Sequence, residues 1–591
     1  MKDITGYPSV DKTHEKGETF LKKHPFIPSI SVFNAVKLIN GMYKNDCAVS
    51  CMDLSLSYDE IINMSVTISK SFKELGVKEN EVVSVLMPNL AQAVAVYLAA
   101  NRIGATVSFL NTLSSMDEKK NYLNLFESKV LVNYDQSVDL SKKYLEGTKV
   151  KQVITLKKED VNRKSFNEKT SGLTGYSDFI NYSDMSSIAA YYRNPVKTNF
   201  GGNYDSLILF TSGSTGKEKA VVITNKNIVA WGTYEKNSSN LSSTRGEKSI
   251  ICVPFSYPYG FITGAVMCLM GHKEAILAQN IGPDNIGNYL KKGASYFFGT
   301  PNLLATIRKS IPDDQDLSEL THFITGGDYL PLQKIYESEE FFKKHNSNAR
   351  IYNGSGNAET CGGNTNAVGI TLRPETVGKV LDGTSAIVVD DENHELKYNE
   401  EGMLCIHGKH VFKEYFNEPG LSKNSKFIHT DGKEYFKTGT TGFLDETGYF
   451  HLTGRPRFFV DSNLNKVYCS TIQNFLSVID IIDSVAVVKK PQDDIYYTSV
   501  AYIVLKEGVL PTEETINYIK KKCSEQLVMP FTSEKLLLKP YEMPAFIEFV
   551  TKIPQIKAGK VDYLTLEKKA EESYELELSE GRRLEKKEIQ E

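Results

Sequence analysis

No stretch of this sequence reaches the ~18 uncharged apolar residues that a membrane-spanning helix needs, so no span is expected. The opening residues, MKDITGYPSVDKTHEKGETF, are polar and lack the apolar core of a secretory signal, which makes a cytoplasmic home the expectation. Charge of neither sign predominates: a net charge of −4 argues against a nucleic-acid partner and against docking on a charged membrane surface. Cysteines are scattered, at Cys47, Cys51, Cys252, Cys268, Cys361, Cys405, Cys469 and Cys523, and only the first two are close together. With no second pair at ligand spacing, reduced structural thiols are expected and a zinc site is not. What remains is 41% hydrophobic and 24% charged, the balance of an ordinary soluble protein, and 591 residues exceed what one core supports, so at least two domains are expected.

The most informative stretch is 207–220, LILFTSGSTGKEKA. Leu207 to Phe210 have the length and composition of a buried strand, and a burst of Thr, Ser and Gly follows. In that loop Thr211, Ser212, Ser214 and Thr215 bring hydroxyls, Gly213 and Gly216 let backbone amides approach a ligand, and Lys217 and Lys219 add positive charge. This is the chemistry of a phosphate cradle. It is not the P-loop of kinases and GTPases, because Gly213 and Gly216 are too close in sequence and Glu218 stands where that loop has Ser or Thr.

Elsewhere the chain alternates between helical and strand patterns. Residues 56–75 place apolar side chains at helical spacing and Gly76 stops the pattern; 81–87 read as a strand, 90–103 as a helix, and GATVSFLN follows. This β-α-β order predicts a parallel sheet covered on both faces. Residues 157–203, polar and aperiodic, read as a surface excursion. ICVPFSYPYG at 251–260 reads as a strand ending in aromatics, 303–311 as a helix, and HFITGGDYL at 322–330 as a strand running into two glycines. Strands are expected at 484–488 and 499–505, a helix at 512–526, and a charged tail at 571–591 that is a solvated helix or disordered.

The loop at 211–220 resembles the phosphate-binding string TSG(T/S)TGxPKG of the adenylate-forming superfamily: acyl- and aryl-CoA synthetases, adenylation domains of peptide synthetases, and luciferases. Glu218 and Ala220 replace the usual Pro and Gly. Further markers occur in family order. SLSYDEI and VSVLMPN look like the opening of the large domain, and the residues from 377 to 416 match the family's short antiparallel strands, ending in Tyr415 and Phe416. Gly356, Asn357, Ala358 and Glu359 match YGxTE, although Ser355 replaces an aromatic and Ala358 a Thr. Thr440 stands where TGD has its Asp, which would weaken nucleotide binding by roughly 1.5 to 3 kcal/mol. Arg455 keeps the GR pair, Phe458 aligns with the hinge, Asp461, Asn463 and Leu464 alter the loop beyond it, and Lys560 matches the lysine of PxTxxGKxxR.

The resemblance implies an α/β fold, with a large AMP-binding domain over 1–455 and a smaller mobile α+β domain over 456–591. It implies that Thr211, Ser212, Gly213, Ser214, Thr215, Gly216, Lys219, Gly327, Gly356, Ala358, Thr440 and Arg455 hold ATP, and that Glu359 holds Mg²⁺. Phe255, Tyr257, Tyr259, Gly260 and Gly354 would border an acyl pocket, and Lys560, Glu359 and Thr211 would serve catalysis. The implied activity joins a small-molecule carboxylic acid to AMP and then passes it to a thiol, of CoA or of the phosphopantetheine of an acyl carrier protein. PFSYPYG has no Asp of the kind that pairs an α-ammonium in relatives, so an acid without an α-amino group is expected, its acyl group open. The alternative is a turnover-impaired paralogue that binds nucleotide or acyl ligand; Thr440, Ala358, Phe458 and Asp461 speak for it, and Lys560, Glu359, Lys219 and Arg455 against. A luciferase-like oxidase has only the shared fold in its favour.

Overall fold

Strands such as Val82–Leu86 and Asp205–Phe210 are apolar on both faces, a pattern that suits parallel pairing beneath helices. The computed structural model describes residues 5–12, 25–134, 145–156, 179–180, 185–186, 189–190, 192, 194–211, 218–239, 246–279, 281–327, 330–454, 458–463, 466–493, 496–528, 535–555 and 561–574. It is a mixed α/β structure built on two large sheets. The first orders its strands Glu414–Tyr415, Ala220–Thr224, Asp205–Phe210, Thr106–Phe109, Val82–Leu86, Val130–Tyr134, Gln152–Leu156, Phe179–Ile180, parallel except for the two pairings that Ala220–Thr224 makes. The second runs Arg350–Gly354, His322–Gly326, Tyr296–Gly299, Lys248–Ile251, Glu274–Leu277, Cys47–Cys51, Leu54–Ser57, parallel up to its final hairpin.

One hydrophobic core takes side chains from both sheets, Val83, Val85 and Val107 from the first and Val49, Ile251 and Leu277 from the second. Ala91–Arg102 lies within it with every side chain from Ala91 to Asn101 buried, as an alanine-rich helix without a polar face must. Tyr58–Glu74 starts on a capping box, in which the Ser57 hydroxyl accepts from the Glu60 amide and the Glu60 carboxylate accepts from the Ser57 amide. It ends before Gly76, whose φ of +83° is the left-handed stop its sequence suggested. A smaller antiparallel sheet, Ser385–Val389, Gly402–His407, Glu434–Leu444 and Lys426–Ile428, with Phe450–Gly454 also on Glu434–Leu444, follows.

The strand expected over 251–260 is shorter. It ends at Ile251, and Tyr259–Val266 forms a wide, π-type helix. The Tyr259 hydroxyl donates to the carbonyls of Gly299 at 3.0 Å and Ile324 at 2.7 Å, so this aromatic is tied to the ends of two neighbouring strands instead of extending its own. Toward the C-terminus, Ile482–Pro491 and Tyr497–Leu505 pair antiparallel and Phe546–Phe549 adds in parallel. They pack with Glu513–Cys523 and Cys469–Leu476 on a core of their own that includes Val467, Ile472, Phe475, Ile503 and Ile519. Most of the 157–203 excursion and the tail beyond 574 lie outside the described residues. None of the eight cysteines forms a disulfide, and among the described residues no helix is long and apolar enough to cross a membrane.

His410 is fully buried between Trp231, stacked at 6.3 Å, and Tyr234, edge-on at 5.5 Å, and neither ring nitrogen has a hydrogen-bond partner among the described residues. Burial, aided by His407, pushes the imidazole down to about 3. The unfolded chain then binds a proton at pH below about 6.5 that the folded chain refuses until about pH 3, so acidification across that window costs stability. A non-titrating His410→Gln variant escapes this loss. Its unfolding free energy relative to wild type should rise by about 1.4 kcal/mol for each pH unit below 6.5. Urea unfolding of both proteins between pH 6.5 and 5 reads this directly, and parallel pH profiles would show that His410 carries no such linkage.

Candidate functional site

The loop singled out in the sequence leaves the first sheet as a closed hairpin. Asp205–Phe210 and Ala220–Thr224 pair as far as Phe210 opposite Ala220, and two further bonds tie the loop's base. The Thr211 amide donates to the Lys219 carbonyl at 3.0 Å, and the Lys219 amide donates to the Thr211 hydroxyl at 3.1 Å. Glu218 is turned aside: its carboxylate accepts from the Tyr122 hydroxyl, and Tyr122 packs on Phe210 at 4.1 Å. Ser212, Gly213, Ser214, Thr215 and Gly216 lie outside the described residues.

Strand Glu414–Tyr415 extends the hairpin, pairing Tyr415 with Val221, and Lys219 holds its ammonium 5.3 Å from the centre of the Tyr415 ring. The Tyr415 hydroxyl donates to Glu359 Oε1 at 2.7 Å, and the Glu359 carbonyl accepts from the Phe412 amide at the same distance. Burial and the neighbouring Glu359 carboxylate push the Tyr415 phenol far up, so it stays a donor.

These groups face a cavity of about 540 Å³, within the usual size of small-molecule sites. It opens at the carboxyl ends of strands Tyr296–Gly299, His322–Gly326 and Arg350–Gly354, where parallel sheets place their ligands. One side is the segment 354–363, packed backbone against backbone. A Cβ on Gly356 would lie 2.0 Å from the Gly362 carbonyl oxygen, and one on Gly363 2.1 Å from the Trp231 ring, so neither position admits a side chain without movement. Asn357 Nδ2 donates to the Thr438 carbonyl at 2.9 Å and joins this segment to Lys437, Thr438 and Gly439, which complete that wall. Trp231 and Thr263 pack against Gly363 and Gly362 of that segment, and Val253, Ala367, Val368 and Glu235 also line the cavity. Cys469, Lys489, Tyr563, Leu564 and Glu567 close the cavity from the C-terminal part, which also meets the rest of the chain through Asn302 Nδ2 donating to Gln555 Oε1 at 2.9 Å.

Of the residues nominated from sequence, Thr211, Lys219, Tyr257, Tyr259, Gly327, Gly354, Gly356, Ala358 and Glu359 line this cavity. Tyr257 accepts from Asn111 Nδ2 at 3.2 Å, and burial together with the Glu218 charge pushes its phenol up to about 12. Three nominated residues are placed elsewhere. Phe255 is in the core, 5.1 Å from Phe261 and 5.8 Å from Phe109, because an aromatic behind the start of the π-type helix points inward. Gly260 is the second residue of that helix and is buried, where a Cβ would lie 2.2 Å from the Val253 carbonyl oxygen. Thr440 is buried one residue beyond the left-handed Gly439, past the point where the chain leaves the wall. Arg455, Lys560 and Leu464 lie outside the described residues; Phe458 opens the strand Phe458–Val460, and Asp461 follows that strand.

Tyr415, Trp231, Glu235, Lys489 and Tyr563 were not nominated, yet all five line the cavity. Trp231 and Glu235 stand four apart on the helix Asn225–Ser239, a spacing that puts two side chains on one face and was open to reading from sequence. Tyr415 and Glu359 are linked only by the fold.

Removing the Tyr415 hydroxyl leaves a buried carboxylate oxygen short of a donor, a change worth about 1–3 kcal/mol. Tyr415→Phe and Glu359→Gln should therefore be non-additive, with a coupling of about 1 kcal/mol in a double-mutant cycle followed by urea unfolding. Additive effects would show that the contact contributes nothing.

The sequence profile of a family described as AMP-binding enzyme matches residues 40–416, more than half of the chain. The chain is 25% identical over 517 residues to a luciferin 4-monooxygenase of Photuris pensylvanica, covering 85% of this chain and 88% of that protein. It is 26% identical over 399 residues to a D-alanine–D-alanyl carrier protein ligase of Streptococcus agalactiae, covering 64% of this chain and 75% of that protein. Among solved structures, ATP-bound MatB from Rhodopseudomonas palustris superposes with a TM-score of 0.77 at 21% identity, over 92% of this chain and 100% of that one. An anthranilate CoA ligase in complex with anthranoyl-AMP gives the same TM-score at 18% identity, over 92% of this chain and 98% of that one, so the architecture is shared. With the profile running from the first strands through the hairpin, Glu359 and Tyr415, this chain belongs to the AMP-binding enzyme family.

Proposed function

We propose that this protein is an AMP-forming ligase that activates a carboxylic acid with ATP and transfers the acyl group to a thiol. The observation that carries the reading is the meeting, in one cavity, of Thr211 and Lys219 at the base of a Gly- and hydroxyl-rich loop with the Glu359 carboxylate, beside a recess of apolar and aromatic side chains. A triphosphate needs the first set and an acyl group the second. The relatives include a carrier-protein ligase and a probable CoA ligase of Humulus lupulus, and both acceptors fit the reading.

In the first half-reaction a carboxylate oxygen attacks the α-phosphorus of ATP; the new O–P bond forms as the bond to pyrophosphate breaks, leaving acyl-AMP. Lys219 and the loop amides and hydroxyls receive the departing phosphates. Glu359 is a hard oxygen donor on the cavity wall and fits Mg²⁺, which takes one or two protein carboxylates and the rest of its ligands from phosphate and water. When bound, the ion offsets negative charge on the phosphate oxygens. Tyr415 fixes the Glu359 carboxylate, and the glycines of 354–363 let backbone pass close to the ligand. In the second half-reaction a thiol attacks the acyl carbon and AMP leaves.

Lys560 supplies the mobile cation of this scheme, bridging the carboxylate and phosphate oxygens as charge develops; it stands three residues before Tyr563, which lines the cavity. The division into 1–455 and 456–591, and a cytoplasmic setting, are part of the same reading. A C-terminal part with its own core supports the division, and its contribution to the cavity wall supports the delivery of Lys560.

ATP–pyrophosphate exchange across a panel of carboxylic acids tests the first step. At least one acid should support it, and Lys560→Ala should suppress it a hundredfold or more, about 3 kcal/mol of transition-state stabilisation, with thermal unfolding unchanged. Near-normal exchange in the variant removes Lys560 from its role; nucleotide binding without exchange for any acid turns the protein into a binding paralogue.

A further inference from the structure

Glu218 is the single acid between Ser206 and Tyr234, and it falls in the loop whose hydroxyls, amides and lysines suit an anion. A carboxylate tethered there offers those donors the same kind of acceptor that a phosphate oxygen does, at an effective concentration of about millimolar. Unrestrained, it would compete with the nucleotide. The fold keeps it aside. Lys219 lines the cavity, its ammonium 5.3 Å from the centre of the Tyr415 ring, whereas Glu218 is not part of the lining. The Glu218 carboxylate instead accepts from the hydroxyl of Tyr122, on the helix Met116–Leu125. Tyr122 is itself fixed, because its ring packs 4.1 Å from that of Phe210, the last residue of the strand that feeds the loop. Burial and the Glu218 charge push its phenol far up, so it remains a donor. Tyr257, which does line the cavity, is close enough to feel the same charge. The restrained carboxylate thus stands near the wall without joining it.

We propose that Tyr122 is a positioning residue for nucleotide binding: by holding Glu218 aside it leaves Lys219 and the loop donors open to phosphate. This rests on the ligase reading above, in which those groups receive the phosphates of ATP.

The test is calorimetric titration with ATP in the absence of any acid, so that no turnover is required. Tyr122→Phe keeps the ring on Phe210 and removes only the hydroxyl; it should weaken ATP binding about tenfold, the loss expected of one charge-assisted contact. Glu218→Gln alone should bind ATP at least as tightly as the wild type, and adding it to Tyr122→Phe should restore the affinity. In exchange assays Tyr122→Phe should raise the KM for ATP and leave kcat unchanged. Wild-type affinity in Tyr122→Phe overturns the proposal, and so does a loss that persists in the double variant, which would assign the effect to packing. A wild-type protein that does not bind ATP overturns the ligase reading and this proposal together. ATP affinity lost and restored as described, with no acid supporting exchange, upholds the role of Tyr122 and overturns the ligase reading alone.

Discussion

The hydrogen bond from Tyr415 to Glu359 is the contact on which the charged end of the cavity depends. Through it the segment 354–363 is fastened to strand Glu414–Tyr415, which is paired with Ala220–Thr224, whose first residues close the hairpin under the Gly- and hydroxyl-rich loop. Three stretches far apart in sequence thus become one connected piece. The second bond, from the Phe412 amide to the Glu359 carbonyl, fixes the main chain as the first fixes the side chain. A carboxylate held at both ends loses little further freedom when it meets a ligand, and this preorganisation favours binding.

Close backbone approach gives the same region its shape. Because Gly356 abuts the Gly362 carbonyl, main chain meets main chain there, and that contact cannot yield by changing rotamers. Other parts of the lining are side chains on the helix Asn225–Ser239 and on strand ends.

The sequence made the β-α-β alternation and the strand that feeds the loop legible for a simple reason: both are local. Leu207–Phe210 is a run of apolar residues followed by small polar ones, and the capping box at Ser57 or the stop at Gly76 needs only neighbours. Where the structure places the other candidates was not local. Aromatics after Ile251 read alike whether they border a pocket or fill a core, and the π-type helix sent Tyr257 and Tyr259 one way and Phe255 the other. Thr440 aligned with a ligand-binding position, but the turn at Gly439 leaves it inside the sheet. Tyr415 and Glu359 pair across 56 residues, and no spacing rule reaches that far. Glu235 was passed over because a lone charge on a helix ordinarily faces solvent, while this helix turns that face to the cavity.

Trp231 is the chain's single tryptophan, and it stands in the cavity wall, stacked near His410, with its indole N–H buried and without a partner among the described residues. The intrinsic fluorescence of the whole molecule at tryptophan wavelengths therefore originates at one spot, next to the recess. Nature has in effect labelled this protein at its most interesting place: emission, quenching and lifetime would follow occupancy of that recess with no dye attached.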